Sequence, residues 1–401
     1  GIRDRSPSRG LGDVYKRQAG YRSAIAKAKR GGFKNYRTDD LAVDVIKHLT
    51  TQVPKLDTTK VDDVIVGCAN PEGEQGLQVA RLISARALGK EVPGVTINRY
   101  CASGLEAISM AVSKVKAGFG HIFIAGGIES MSLIPMTGYK LAPSYKANLD
   151  NMNYHVGMGQ TAEAVAEKYN ISREASDQFS LESHTKAANA IDKGHFKDEI
   201  VPVTVEEVFV ENGKKVSKSH VVDMDEGVRR DTTLEALSKL RPAFKMGGIV
   251  TAGNSSQTSD GAAFVLVMSE EMVKQLGVKP IARMVTCTSG GVDPLYMGIG
   301  PVEAIPKALD QAGLKISDIE QTELNEAFAC QALAVIQEAG LDPSTVNVNG
   351  GAIALGHPLG CTGAKLTIQL LNEMKRRDQK YGMVTACVGG GQGIAGIFER
   401  L

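Results

Sequence analysis

The chain is poor in aromatic residues. It contains no tryptophan, and aromatic residues account for 5% of its 401 positions, so a surface of stacked rings that binds nucleic-acid bases is not expected. Charge of one sign is not in excess either, because 46 Lys and Arg face 45 Asp and Glu and leave a formal net charge of +1. The sequence therefore argues against a nucleic-acid partner, which requires a concentration of basic residues.

Long hydrophobic runs are also absent. Residues 343–364 carry no charge and are numerous enough to cross a bilayer, but they include five glycines, two asparagines and a histidine. A membrane-spanning helix has to be apolar over most of its length. The sequence therefore predicts no membrane span.

Cysteine is too sparse for a disulfide framework, and no C-x-x-C pair indicates a metal or redox site. This usage favours a reducing compartment such as the cytoplasm, and we expect no bound metal. The six cysteines are Cys68, Cys101, Cys287, Cys330, Cys361 and Cys387.

The first 18 residues differ from the rest in composition and in periodicity. Residues 1–18 have no initiator Met, are rich in Arg, Gly and Ser, and show neither helical nor strand periodicity. They lack the apolar core of a secretory signal, so we interpret them as a non-native or disordered leader, while a native targeting segment at this end stays an open alternative. The length of the remainder predicts at least two domains.

Two regions show helical and strand patterns in the same alternating order. This alternation predicts a mostly parallel sheet with helices on both faces. Residues 95–98 before Cys101 also match residues 346–349 before His357, so we interpret the chain as a duplicated α/β fold. The strands are expected at 61–67, 95–97, 121–125, 316–324, 346–349 and 382–387, and the helices at 41–49, 77–88, 105–115, 301–312, 326–338 and 363–375.

The region between the two halves has a different character. It contains a long helical stretch at 161–191 and a charged hairpin at 199–222, and we expect it to form a lid over a site. The predicted organisation is a first half at 19–130 that residues 246–272 rejoin, a lid at 131–245 and a second half at 273–401.

Cys101 lies where a predicted strand meets a predicted helix. The first N–H groups of a helix lack intrahelical partners and carry the positive end of the helix dipole, which favours a thiolate. A catalytic nucleophile is one interpretation of this position. A buried cysteine that packs as a small hydrophobic residue is an equally open one.

Three further residues that could react follow predicted strands of the second half. They are Asn325, His357 and Cys387, and ligands of open α/β sheets bind at the carboxyl ends of the strands. Simpler interpretations exist for each: a helix cap for Asn325, a loop histidine held by the backbone for His357, and a core residue for Cys387. We expect all of them to converge with Cys101 on one pocket.

Several stretches of the chain form a set of motifs with a characteristic order and spacing. They are residues 98–107, 325–329, 350–364 and 387–393, together with 240–244, 251–256 and 259–263. In that order and spacing they resemble the signature motifs of the thiolase family. The resemblance extends from about residue 19 to the end, and it implies a first strand just before Ala19, where the leader stands.

The resemblance implies two βαβαβαββ halves that form a layered α-β-α-β-α core, with an inserted lid. It also implies cleavage of a 3-ketoacyl-CoA by free CoA, or the reverse condensation. Cys101 would be the nucleophile, His357 the base that takes its proton, and Cys387 the acid that protonates the acetyl-CoA enolate. Asn325 would hold a water at the enolate oxygen, and the N–H group of Gly389 would stabilise the tetrahedral adduct.

The same resemblance implies where CoA binds. Ser256 would contact the pantetheine, Met158 and Phe328 would line its channel, and Arg229 would lie near the nucleotide, although a solvated surface charge explains Arg229 equally well. CoA and acyl-CoA are then substrates, and no cofactor is implied. The implied assembly is a homodimer or homotetramer, with a β-oxidation multienzyme complex as a further partner.

The sequence of residues 254–257 and the short connection at 139–157 look more like those of degradative thiolases than those of biosynthetic thiolases. Biosynthesis of acetoacetyl-CoA is the alternative. Two further alternatives are a decarboxylating condensing enzyme on the same fold and a non-catalytic module that binds CoA or lipid.

Overall fold

A computed structural model describes the backbone of residues 14–401 and the side chains from Gly20 onward. Residues 1–13 of the predicted leader lie outside the described residues. The strands in this range are β1 (Val14–Ser23), β2 (Ala26–Lys27), β3 (Asp63–Gly67), β4 (Gly94–Ile97), β5 (Ile122–Ser130), β6 (Ile200–Val201), β7 (Val203–Glu211), β8 (Lys214–Val222), β9 (Ser259–Ser269), β10 (Pro280–Gly291), β11 (Gln321–Leu324), β12 (Tyr381–Val388) and β13 (Gln392–Arg400).

The helices cover both faces of the sheet, and four of them lie in the inserted region. They are α1 (Thr38–Thr51), α2 (Val79–Ala87), α3 (Ser103–Lys116), α4 (Tyr145–Asp150), α5 (Met158–Lys168), α6 (Arg173–Asp192), α7 (Leu234–Ser238), α8 (Glu270–Leu276), α9 (Gly300–Ala312), α10 (Ala329–Ala339), α11 (Ala352–Leu355) and α12 (Leu359–Arg377).

The two halves share one strand order. The first half runs β4-β3-β5-β9-β1 and the second runs β11-β12-β13-β10, and β1 joins them by pairing with β10. In both halves the pairs at the outer edge of the sheet are parallel, and the two strands nearest its centre pair antiparallel with their neighbours. The first strand begins at Val14, inside the segment assigned to the leader. The predicted return of the chain to the first half is β9, which pairs with β5.

The second half lacks the strand that the sequence predicts at 346–349. Val346 makes only an isolated parallel bridge to Thr322, and Asn347 adopts a φ of +46° that no strand tolerates. The side-chain amide of Asn347 takes the place of the missing backbone hydrogen bonds between strands. Its Oδ1 accepts from the N–H of Leu324 and its Nδ2 donates to the Leu324 carbonyl, both at 2.8 Å. The strand prediction was wrong here because a side chain performs the pairing.

Alternate residues of the central strands point into different layers. In β9, Phe264 and Leu266 pack against α1 and α2 on the outer face, whereas Val265 and Val267 face α3 and α12 in the middle layer. The outer face of the second half packs against α9 and α10. This arrangement confirms the α-β-α-β-α layering, in which each fully buried side chain such as Phe264 contributes about 1.5–3 kcal/mol.

The inserted region departs from the prediction at one point. The helix expected at 161–191 is two helices, because the chain turns at Asn170 with a φ of +53°. Ser172 then starts α6 by accepting the N–H of Ala175 on its hydroxyl at 3.1 Å. The charged hairpin expected at 199–222 is present as the β7–β8 pair.

Candidate active site

Cys101 lies in a short 3₁₀ turn between β4 and α3, which confirms the predicted strand-to-helix junction. Asn98 Oδ1 accepts the N–H of Tyr100 at 2.8 Å. Ser103 Oγ accepts the N–H of Arg99 at 2.8 Å and donates to the carbonyl of Tyr100 at 2.7 Å. These bonds hold Tyr100 at a φ of +43°, a strained value for a residue with a side chain. The hydrogen bonds from Asn98 and Ser103 therefore fix the backbone conformation of the turn that presents Cys101.

Two backbone N–H groups, those of Gly389 and of Cys101 itself, approach the Cys101 thiol. Desolvation raises the pKa of this thiol to about 12, and hydrogen bonds from the two N–H groups oppose the rise. Gly389 lies close to Tyr100 and Met158, since a Cβ at this glycine would come 3.5 Å from the Tyr100 ring and 3.8 Å from Met158 Sδ. Donors, thiol and apolar side chains thus meet at the end of β12.

Cys387 is the second sulfur of this site and is fully buried in β12. Burial raises the pKa of the Cys387 thiol, and the neighbouring Cys101 raises it further. The two thiols are therefore close enough for a charge on one to disfavour a charge on the other. The interpretation of Cys387 as a core residue describes its burial but omits this neighbour.

His357 is buried and its ring is held on both sides. Its Nδ1 lies 2.6 Å from Thr362 Oγ1, and that hydroxyl donates to the Pro358 carbonyl at 2.9 Å. Because a hydroxyl has one proton, Thr362 is left as the acceptor for an Nδ1–H, which assigns the lone pair to Nε2. Burial lowers the pKa of His357 to about 3, with the nearby Lys365 as a smaller cause. The resting imidazole is therefore neutral, and its Nε2 lone pair faces the side-chain amide of Asn325.

Asn325 connects the histidine to the strand that carries Cys387. Its Nδ2 lies 3.3 Å from His357 Nε2, and its backbone N–H donates to the Thr385 carbonyl at 2.9 Å. Its Oδ1 is buried without a hydrogen-bond partner among the described residues. The alternative of a helix cap was wrong, because α10 begins at Ala329 and Phe328 is its N-cap.

The residues expected to line a CoA channel lie beside the sulfurs. The N–H of Ser256 donates to the Ala327 carbonyl at 2.9 Å, so Ser256 adjoins Phe328. Phe328, Met158 and Cys387 belong to one apolar cluster. The structure therefore brings Ser256, Met158 and Phe328 to the same end of the sheet as Cys387.

Arg229 is the expected residue that the structure leaves apart from this cluster. Its side chain is exposed, whereas its backbone N–H donates to His184 Nδ1 at 3.2 Å. Burial, followed by the charge of Arg229, lowers the pKa of His184 to about 4, so this histidine is neutral and can accept the bond. The Arg229 side chain therefore lies at the surface, apart from the two sulfurs.

Two family models match almost the whole chain. The family model described as the thiolase N-terminal domain matches residues 19–271, and the thiolase C-terminal domain matches residues 278–400. The chain belongs to the thiolase family. A relative named 3-ketoacyl-CoA thiolase, from Bacillus subtilis (strain 168), is 52% identical over 384 residues, which cover 95% of this chain and 98% of the relative.

Two solved thiolase structures superimpose on this chain equally well. The acetyl-CoA acetyltransferase of Bacillus anthracis has a TM-score of 0.87 at 39% identity, and the human mitochondrial 3-ketoacyl-CoA thiolase has a TM-score of 0.87 at 38% identity. Each match covers 98% of this chain and 100% of the other.

The candidate site contains supporting residues that sequence analysis missed. Glu129, fully buried, accepts the N–H groups of Ala69 at 2.8 Å and Gly360 at 2.9 Å and so ties the two halves together beside the His357 loop. Burial raises the pKa of Glu129, and these bonds oppose the rise. A buried acidic residue at a strand end is a signal that could have marked it.

Three more residues support His357 or the loop before it. Glu326 accepts from Ser183 Oγ at 2.7 Å and from Asn347 Nδ2 at 2.8 Å. Thr362 orients the imidazole, and its position five residues after the histidine was the available signal. Gln257 joins two distant segments, and nothing in its local sequence indicates this.

Neither a metal centre nor a membrane helix emerges from the described residues. Across residues 14–401, no group of three or more His, Cys, Asp or Glu is arranged to hold a metal ion. In the same range, none of the helices combines the length and apolarity needed to cross a bilayer. All six cysteines are free thiols.

Proposed function

We propose that this thiolase is an acetyl-CoA C-acyltransferase of the 3-ketoacyl-CoA thiolase type. It cleaves a 3-ketoacyl-CoA with free CoA and yields acetyl-CoA and a shortened acyl-CoA, in fatty-acid β-oxidation. The observation that carries the proposal is the proximity of the Cys101 and Cys387 thiols, together with the 3.3 Å contact between Asn325 Nδ2 and His357 Nε2. The name of the Bacillus subtilis relative agrees with it.

Cys101 starts the reaction as a nucleophile. Its sulfur attacks the 3-keto carbon of the substrate while His357 Nε2 takes the thiol proton. Burial penalises an isolated thiolate or imidazolium, but the two charges formed side by side stabilise each other. Proton transfer is therefore coupled to the attack rather than completed before it.

Carbon–carbon cleavage then requires an acid. The electrons of the C2–C3 bond pass into the enolate of acetyl-CoA, and the Cys387 thiol donates its proton to C2. This leaves an acyl group on Cys101 and a thiolate on Cys387. The Cys387 thiolate takes the proton of the incoming CoA thiol, whose sulfur attacks the acyl carbon and releases Cys101 as its thiolate, which recovers its proton from His357.

Two oxygens carry negative charge at different steps. The N–H groups of Gly389 and Cys101 stabilise the tetrahedral adduct on Cys101. The enolate oxygen receives hydrogen bonds from His357 Nε2, which carries a proton after the first step, and from a water that Asn325 holds. The buried Oδ1 of Asn325 supports this role, because it is an acceptor without a protein partner among the described residues.

CoA binds as a substrate along the lid. Ser256 contacts the pantetheine, Met158 and Phe328 line its channel, and Arg229 meets the nucleotide phosphates. The half-buried Ser256 and Met158 and the exposed Arg229 support an elongated groove that runs from the sulfurs to the surface. No resident cofactor takes part.

Covalent trapping tests the catalytic assignment directly. After acyl-CoA is added without free CoA, mass spectrometry of the intact protein and its peptides should find one acyl group, attached to Cys101. An acyl group on Cys387 instead, or none in a protein that binds CoA, contradicts the assignment. The second outcome favours the non-catalytic CoA-binding module.

Biosynthetic acetoacetyl-CoA thiolase is the second candidate. The specific observation in its favour is that the Bacillus anthracis acetyl-CoA acetyltransferase superimposes as well as the human 3-ketoacyl-CoA thiolase. Turnover of acetoacetyl-CoA and of a long-chain 3-ketoacyl-CoA separates the two. Cleavage of both supports the degradative enzyme, whereas activity on the four-carbon substrate alone supports the biosynthetic one.

We also propose a homodimer in a reducing compartment such as the cytoplasm. Strand β4 lies at the edge of the described sheet and pairs only with β3, and Leu77 beside it is fully exposed. An unpaired edge strand is a template for pairing with a second copy. The mass in solution, measured by light scattering, distinguishes the homodimer from the homotetramer and from a larger β-oxidation complex.

A further inference from the structure

The side chain of Gln257 joins two segments that are far apart in sequence. Its Nε2 amide donates to the main-chain carbonyls of Gly227 and Ile353, each at 2.9 Å. A third, longer bond of 3.3 Å reaches the carbonyl of Ala354. All three acceptors are carbonyl oxygens, so only the amide nitrogen can face them, and the orientation of the amide is unambiguous.

Both segments lead to residues of the site. Gly227 lies two positions before Arg229 at the proposed nucleotide end of CoA. Ile353 lies four positions before His357, and the Gln257 carbonyl itself accepts the N–H of His357 at 3.0 Å. One residue therefore contacts the segment that meets CoA and the loop that carries the base.

The two segments touch directly at the point that Gln257 bridges. A Cβ on Gly227 would lie 2.2 Å from the Ala354 carbonyl oxygen, so the backbones meet there without an intervening side chain. The lid before this point is anchored separately, because Asp225 accepts two hydrogen bonds from buried Arg22, at 2.7 and 2.9 Å. Beyond Gly227, the backbone N–H of Arg229 bonds His184 Nδ1 at 3.2 Å, and the exposed Arg230 guanidinium pairs with Asp192 at 2.8 and 2.9 Å.

We propose that Gln257 is a positioning residue that keeps the CoA-binding segment, residues 226–230, in register with the loop at 351–357. This inference rests on the proposed function. The Gln257 side-chain amide donates to main-chain carbonyls of both segments, so it acts through Gly227 and through the loop that carries His357. Removing it leaves carbonyls without their donor and frees both segments to shift, and misplacement of a catalytic group by about 1 Å costs about 100-fold in rate.

Steady-state kinetics of Gln257→Met test this proposal. Methionine preserves the length of the side chain but donates no hydrogen bond. We expect kcat to fall about 10-fold and the KM for CoA to rise about 10-fold, since both segments lose their shared donor. A change in only one parameter for Gln257→Met contradicts a shared clamp.

Gln379→Met is the matched control. The Gln379 amide also donates to a main-chain carbonyl, that of Glu320 at 2.9 Å, but at the end of α12 away from the site. This variant should retain the kcat and KM of the parent. If kcat and KM changed equally in both variants, general destabilisation would explain the effect of Gln257→Met and the proposal would be contradicted.

Gln257→Glu provides a readout that a merely structural role does not move. An ionised carboxylate faces the carbonyls as an acceptor, so the loss should exceed that of the methionine variant. As the pH falls and the carboxyl gains its proton, one O–H donor returns and part of the activity relative to the parent should recover. A ratio of variant to parent activity that does not change with pH contradicts the donor role.

Hydrogen exchange separates failure of this inference from failure of the proposed function. In Gln257→Met, amides in residues 226–230 and 351–357 should exchange faster together, whereas Gln379→Met should change neither segment. This result does not depend on turnover. Unchanged exchange in both segments overturns the clamp, while a parent protein without thiolysis overturns only the proposed function.

Discussion

Equivalent hydroxyl groups have different partners in the two halves. Ser103 stands one residue before Gly104 in the first half, and Thr362 stands one residue before Gly363 in the second. Ser103 Oγ bonds only the backbone of the turn that presents Cys101. Thr362 Oγ1 bonds the backbone and also accepts from the ring of His357.

The packing between the halves, in contrast, is nearly symmetric. A Cβ on Gly104 would lie 2.7 Å from the backbone nitrogen of Ala364, and a Cβ on Gly363 would lie 2.3 Å from that of Leu105. Helices α3 and α12 therefore approach each other through a matched pair of glycines. The duplicated fold retains the packing contact, while the polar side chains beside it hold a turn in one half and orient a base in the other.

The largest effect should follow loss of the first half's cysteine. Cys101→Ala removes the nucleophile, so kcat/KM for 3-ketoacyl-CoA thiolysis should fall by about 10⁴-fold or more. The control is Cys361→Ala, which removes the fully buried cysteine beside Thr362 in the second half. It should lose stability but retain its activity per folded molecule. Comparable losses of kcat/KM would contradict the division of labour between the halves.

Alanine at either paired glycine should separate α3 from α12. We expect Gly363→Ala to lower the free energy of unfolding by about 3 kcal/mol and Gly104→Ala by about 2 kcal/mol, because the first clash is closer. Denaturant unfolding measures both. Ser113→Ala, on the exposed face of α3, should remain within about 0.5 kcal/mol of the parent. Neutral glycine variants would disprove the tight crossing.

Thr362→Val should affect catalysis more than stability. The change preserves the shape of the side chain but removes the acceptor of the His357 Nδ1–H, so we expect kcat to fall about 10- to 100-fold. Thr362→Ser retains the hydroxyl and should recover most of the activity. Ser103→Ala, its counterpart, should lower stability by about 1 kcal/mol with a smaller change in kcat. Equal kcat values for the Val and Ser variants would argue against orientation of the ring.

The last effect concerns pH and stability. The pKa of His357 is about 3 in the folded protein against an ordinary value of 6.5, because burial disfavours the imidazolium. Between these values the unfolded chain binds one more proton, so this group makes the free energy of unfolding decrease as the pH falls, by about 1.4 kcal/mol per pH unit. Denaturant unfolding between pH 6 and pH 4 should show this slope as the difference between the parent and His357→Asn. Parallel curves would contradict it.

Much of the fold can be predicted from the sequence. The alternation of elements, the duplication and the layering follow from apolar periodicity, and the turn at Cys101 follows from a strand pattern that meets a helix pattern. The strand predicted at 346–349 failed because its β-branched residues carry a strand signal, while the pairing is performed by the Asn347 side chain. The break at Asn170 was missed because helical spacing continues on both sides of it.

The site divides in the same way. The sequence by itself determined that Cys101, Asn325 and Cys387 lie at or near the ends of strands and that His357 lies in a glycine-rich loop, because those properties are local. Only the tertiary structure decided that Cys101 lies beside Cys387, 286 positions away in a 401-residue chain. It also decided that the amide of Gln257 binds carbonyls of two distant segments. Such contacts depend on how the halves pack together, and no local pattern of residues encodes that packing.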